Sequence, residues 1–208
     1  GQKVSSACTE CGKGKWSSGV GQISEDTCQD CAIGKYLTTL GAQYETSCVA
    51  CSTGKFGTIV GTAESDCSSC VSGTYQDEVG QTSCISCVAG QYQSSTTQTE
   101  CKQCPKGKSS NVVGRSTNCP ACAKGYVQPT SAQTTCISCG TGTYQDQTES
   151  QVCLDCAQGQ YNDDSTGPVA CKDCGLGTFL DQKKQSTPNA CKGCPTGTYG
   201  CLLYTSPS

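Results

Sequence analysis

Twenty-two of the 23 cysteines fall in eleven Cys-x-x-Cys pairs, and no other feature constrains the fold as strongly. The first members are Cys8, Cys28, Cys48, Cys67, Cys84, Cys101, Cys119, Cys136, Cys153, Cys171 and Cys191, at steps of 17 to 20 residues; only Cys201 stands outside the scheme. A fixed short period means one small unit folded once and then repeated.

The residues after each pair repeat as well. Glycine always stands three positions beyond the second cysteine: Gly14, Gly34, Gly54, Gly73, Gly90, Gly107, Gly125, Gly142, Gly159, Gly177 and Gly197. A glycine fixed in every copy predicts a positive φ or a close backbone approach. Five positions beyond the second cysteine stands an aromatic in nine of eleven copies: Trp16, Tyr36, Phe56, Tyr75, Tyr92, Tyr144, Tyr161, Phe179 and Tyr199. Ser109 and Val127 are the exceptions, and Tyr126 precedes the latter. The aromatic is expected to lie against the adjacent disulfide and supply most of the apolar contact of its unit. Val20-Gly21, Leu40-Gly41, Val60-Gly61, Val79-Gly80 and Val113-Gly114 form an aliphatic–glycine step further on. Thr74-Tyr75-Gln76-Asp77 suits a short strand and Gly80 a turn. No segment shows sustained helical periodicity, so short hairpins and loops with little or no helix are expected.

Three chemistries compete for the thiols. A redox protein needs one activated Cys-x-x-Cys on a supporting fold, and eleven copies without a thioredoxin-like αβ pattern argue against that. Four-thiolate zinc sites fit the spacing. Eleven pairs, however, give five sites with one pair left over, and the chain has no histidine. A c-type haem is excluded for the same lack of histidine. Structural disulfides are the reading preferred here, and no cofactor or metal is expected.

Two connectivities follow from that reading. In a ladder, the second cysteine of each pair bonds the first of the next: Cys11–Cys28, Cys31–Cys48, Cys51–Cys67, Cys70–Cys84, Cys87–Cys101, Cys104–Cys119, Cys122–Cys136, Cys139–Cys153, Cys156–Cys171 and Cys174–Cys191. In the rival, first bonds first and second bonds second, which would make odd and even loops differ. Nearly all loops carry one signature, which favours the ladder without proving it. A bridge across a loop of this size contributes roughly 3 kcal/mol in the chain-entropy model.

Such reinforcement is needed. The chain has 208 residues with 34% hydrophobic content counting cysteine, two Phe, one Trp and no Met. That is too little apolar bulk for an ordinary core. Cysteine at about one residue in nine marks a secreted disulfide scaffold. The net charge is −3 with no basic run, so nucleic acid is not an expected partner. No stretch approaches the roughly 18 apolar residues of a membrane span. The chain reads as a piece of something longer, and any targeting or anchoring segment is expected outside it.

The unit Cys-x-x-Cys-x-x-Gly-x-aromatic…Cys-x-x-Cys, seen from Cys136 to Cys156 as CISCGTGTYQDQTESQVCLDC, resembles the ephrin-receptor-like cysteine-rich repeat. It also resembles the related Gly-Cys-Cys repeats of large protist surface proteins. The single-bridge loop is similar to the first half of a tumour-necrosis-factor-receptor cysteine-rich domain. The resemblance covers residues 8 to 199. It implies disulfides, an extracellular setting and no catalytic residues.

Residues 1–10 are read as the end of a preceding repeat, 11–199 as the tandem array, and 200–208 as an off-pattern tail. The tail, CLLYTSPS from Cys201, looks like translated sequencing adapter, which would make it non-native; the alternative is a divergent terminal cap of the kind repeat arrays often carry. Setting Cys201 aside, the ladder leaves Cys8 and Cys194 open at its two ends. Asn162-Asp163-Asp164-Ser165 lacks the alternating spacing of a calcium loop, Lys183-Lys184 reads as a solvated turn, and no glycosylation sequon occurs at any asparagine. The expected architecture is an elongated tandem-repeat rod of small disulfide-bonded loops. The expected function is non-enzymatic: an extracellular stalk, spacer or adhesive segment that meets a protein partner or its own kind laterally. The alternatives are a ligand-binding receptor ectodomain and, further off, an intracellular zinc scaffold. For a receptor, only the loops from Cys104 and Cys122, which lack the standard aromatic, stand out.

Overall fold

The computed structural model describes residues 9–20 and 24–198. Two compact units emerge: Gly1–Cys87 with Gln93–Lys102 and Val113–Thr117, and Val88–Tyr92 with Gln103–Val112 and Asn118–Ser208. Both are built from the same element, a hairpin of two residues against two.

In the first unit Lys15–Trp16 pairs with Gln29–Asp30, Lys35–Tyr36 with Val49–Ala50, Lys55–Phe56 with Ser68–Ser69, and Thr74–Tyr75 with Ile85–Ser86, all antiparallel. In the second, Tyr126–Val127 pairs with Ile137–Ser138, Thr143–Tyr144 with Leu154–Asp155, Gln160–Tyr161 with Lys172–Asp173, and Thr178–Phe179 with Lys192–Gly193. The returning strand is in each case the dipeptide inside a Cys-x-x-Cys pair. The spacing is therefore that of a minimal strand flanked by two bridges. Strands this short are not stable alone in water, and the covalent frame holds them in register.

The repeat glycine fastens each hairpin. Its carbonyl accepts the N–H of the next second cysteine, from Cys31 to Gly14 through Cys194 to Gly177, at 2.8–3.0 Å. Its own N–H donates to the next loop, to the carbonyl of the residue after the aromatic: Gly14 to Leu37, Gly54 to Gln76, Gly107 to Gln128, Gly142 to Asn162. All eleven repeat glycines have φ between +75° and +87°.

Two further bonds join consecutive loops. The residue after the aromatic donates to the tip of the next loop, as in Leu37 to Gly61 and Gln128 to Ser150. A left-handed tip residue donates back to a second cysteine, as in Gly41 to Cys11 and Ala132 to Cys104. Four of those left-handed tips are not glycine: Thr97, Ala132, Glu149 and Lys184, with φ of 59–60°.

Loop length sorts the units into two kinds. Bridges with a sequence separation of 16 or 17 enclose a 3-10 turn just before the first cysteine: Glu25–Thr27, Glu45–Ser47, Glu64–Asp66 and Pro188–Ala190. Bridges with a separation of 14 or 15 enclose none. The turn takes up the extra residues, so both kinds return to the same Cα–Cα span of 5.6–5.8 Å. No α-helix occurs among the described residues. The fold is a small disulfide-rich one of loops and short hairpins.

Candidate functional site

The structure pairs the cysteines in the ladder order, in ten bridges from Cys11–Cys28 to Cys174–Cys191. The second cysteine of each pair is buried from Cys11 through Cys156, and these sulfurs form most of the core. The thiols a four-cysteine zinc site would take are thus held in bridges. Cys194 is disulfide-bonded as well, which corrects the expectation that it stands open. Cys8, Cys201 and Tyr199 lie outside the described residues.

The repeat aromatics behave differently from expectation. Trp16, Tyr36, Phe56, Tyr75, Tyr92, Tyr144, Tyr161 and Phe179 are only half-buried. Several cover the returning strand, in the cross-strand pairs Tyr36–Val49, Tyr75–Ile85 and Tyr144–Leu154. Trp16 does reach the next loop, packing on the cluster of Cys31, Leu37 and Cys48. The deeply buried side chain is the one after the aromatic: Leu37, Gln76, Gln93, Ser110, Gln128, Gln145, Asn162 and Leu180. Successive residues of a strand point to opposite faces, so when the aromatic covers the outside its successor enters the stack.

That successor matches the loop it closes. All four bridges of separation 14 enclose a glutamine there: Gln76, Gln93, Gln128 and Gln145. The side chain makes the same bonds each time. Nε2 donates to the carbonyl just before the first cysteine, at Ser83, Glu100, Thr135 and Val152, over 2.6–2.8 Å. Oε1 accepts the N–H two residues on, at Glu78, Ser95, Thr130 and Gln147. A primary amide has a donor and an acceptor on one planar end, and glutamine's two methylenes carry it across the loop. Buried polar groups are costly unless paired; among the described residues no buried side-chain N or O lacks a partner.

In the bridge of separation 15 at Cys156–Cys171 the shorter Asn162 takes the place. Its Nδ2 donates to the Thr143 carbonyl of the preceding loop and to Asp164, while Oδ1 accepts from the Asp164 N–H. Asn162 is therefore interior, and the two carboxylates beside it are engaged. Lys172 holds the Asp163 carboxyl below the usual aspartate range, and the Thr166 hydroxyl and N–H do the same for Asp164. Asp66 is lowered by the backbone N–H groups of Thr62 and Ala63, which it accepts at 2.6 and 3.0 Å. Asp66 and Asp164 serve their own turns, and Asp163 pairs with Lys172 of the returning strand. No group of three or more potential metal ligands occurs among the described residues.

Where the aromatic is missing, Ser109 and Val127 are buried instead. Tyr126, one position early, lies against Gly167 two loops on: a Cβ on that glycine would sit 2.5 Å from the Tyr126 ring.

The family model described as tyrosine-protein kinase ephrin type A/B receptor-like matches residues 57–91. That span contains the whole Cys70–Cys84 loop, with Gly73, Tyr75 and the buried Gln76. No curated protein matches the chain. The match and the regular ladder define a cysteine-rich repeat protein, and both point to an extracellular role of a receptor-like or structural kind.

Proposed function

We propose that the chain is a non-enzymatic extracellular array, a stalk, spacer or adhesive segment of a larger surface or secreted protein. The observation that carries this reading is where the polar interior is used. Every buried amide and hydroxyl named above closes its own loop or ties it to a neighbour. What remains for a partner is the outer surface. Ten bridges suit an oxidising compartment, and the family match lends support to an ectodomain setting.

A receptor ectodomain that grips a protein ligand is the second reading, favoured by one feature. The loop from Cys104 lacks the aromatic and presents exposed Lys106 and Val112.

Cell-binding of the oxidised, tagged chain separates the two. An array of interchangeable loops keeps its binding when the loop 71–87 is replaced by the equal-length loop 140–156, and likewise for other single replacements. Saturable binding lost on replacing one particular loop overturns the spacer reading in favour of the receptor.

A further inference from the structure

Charge is sorted along this chain. No Asp or Glu occurs from Cys101 to Gln145, while five of the 14 cations do: Lys102, Lys106, Lys108, Arg115 and Lys124. From Ser17 to Glu100 the balance is reversed, with nine carboxylates against Lys35 and Lys55. Both of those lysines already pair, with Glu45 and Glu64.

The ion pairs within the chain leave a residue of each sign. In the second unit Lys108 binds Glu149 at 3.2 Å, but Lys106 and Lys124 are exposed and have no ion pair among the described residues. They hold the same register position, two beyond Cys104 and Cys122, in consecutive loops. In the first unit Asp77 and Glu78 are adjacent and exposed at the tip of the Cys70–Cys84 loop; neither has an ion pair among the described residues, and Glu78 Oε2 accepts from Gln81 Nε2 at 2.6 Å. Exposed Val79 follows them, and Val112 is exposed in the loop of Lys106.

We infer that Lys106 and Lys124 dock on Asp77 and Glu78 of a second copy of this chain. The complementarity is between two surfaces of one sequence, which makes the chain its own partner. Exposed pairs are individually weak, so the contact is reversible and its role is to set register and speed of encounter. At ordinary ionic strength screening acts within about 8–10 Å, so the overall net charge of −3 does not oppose a local match of opposite signs. The inference deepens the array reading by naming the surface and the partner.

Sedimentation velocity on the oxidised chain tests it. Association is expected at low salt, weakened about tenfold or more near 1 M salt, where the screening length is about 3 Å. Lys106→Glu with Lys124→Glu is expected to give monomer, and so is Asp77→Lys with Glu78→Lys. Mixing the two double variants restores the complex. A monomer at low salt, salt-insensitive association, or failure of the mixture to associate overturns the proposal. So does a monomeric chain that binds a sulfated polysaccharide through Lys106 and Lys124, since the basic face then serves a polyanion. A monomer here removes only the self-contact; the array reading stands or falls on its own cell-binding test.

Discussion

Gly107 lies directly under the backbone of Glu149, two loops further along: a Cβ on Gly107 would come within 2.1 Å of the Glu149 carbonyl oxygen. The same approach recurs between Gly34 and Gly80, Gly73 and Gly114, and Gly90 and Ala132, at 2.2–2.3 Å. At these four places a loop packs on the second loop after it. Gly107→Ala meets both this clash and a φ of +78°. We predict a loss of roughly 1–3 kcal/mol from backbone strain alone, read as a lower denaturation midpoint with the bridges intact. Gly140→Ala is the control. Gly140 has no heavy atom within 4 Å of such a Cβ, and a change within about 0.5 kcal/mol is expected. Equal effects at the two sites would contradict the packing described.

Gln93 is 1% exposed, and its amide holds both ends of its loop. Gln93→Leu keeps the volume and removes the bonds, leaving the Glu100 carbonyl and the Ser95 N–H without their partner. A cost of about 1–3 kcal/mol is expected for stranding a buried group. Hydrogen exchange of the Ser95 amide should accelerate strongly. An unchanged Ser95 amide would show that the glutamine is a passive filler.

Tyr126 and Gly167 form a matched pair. Gly167→Ala should destabilise the second unit, because the new methyl meets the Tyr126 ring. Tyr126→Thr, the residue found at the equivalent Thr143, should remove most of that cost in the double variant. A left-handed alanine is tolerated at the equivalent tip, Ala132. A double-mutant cycle on thermal unfolding measures the coupling; strict additivity would refute it.

Asp66 fixes the sign of one acid response. Its folded pKa lies below the ordinary aspartate value of about 3.9. Its contribution is thus fully present above that value and fades as pH falls through the lower, folded one. The Thr62 and Ala63 amide resonances should titrate with a midpoint below about 3.9. Asp66→Ala should abolish that titration and expose both amides to exchange. A midpoint at or above the ordinary value would mean the two hydrogen bonds do not form.

Much of this architecture is legible in the sequence, and the reason is that glycine and cysteine have single uses here. A glycine at the third position beyond every pair announces a left-handed residue, and all eleven of these repeat glycines are left-handed. The cysteine spacing announces small bridged units; two connectivities fit it, and the signature shared by nearly all loops favours the ladder. The interior was not legible by the usual route, because that route looks for apolar side chains. Here the interior positions are Gln76, Gln93, Gln128 and Gln145, which look like loop surface. A signal existed. Glutamine follows the aromatic or its substitute in every loop of separation 14 and in no longer one. The left-handed Thr97, Ala132, Glu149 and Lys184 gave no such signal, since their conformation comes from the tip's bonds to neighbouring loops and not from their own preference.

The strand inside each Cys-x-x-Cys pair has a consequence for a chain under tension. From Cys122 the shortest covalent route crosses to Cys136, runs through Ile137 and Ser138 to Cys139, and crosses again to Cys153. A pull on the two ends travels along sulfur and dipeptides, and the enclosed loops stay slack. Cys122 and Cys136 are 5.7 Å apart between Cα atoms, with a sequence separation of 14. Cutting that one bond would let the segment reach roughly 46–50 Å at 3.3–3.6 Å per residue. Each rung is thus a coil of stored length, and a reductant is the agent that pays it out.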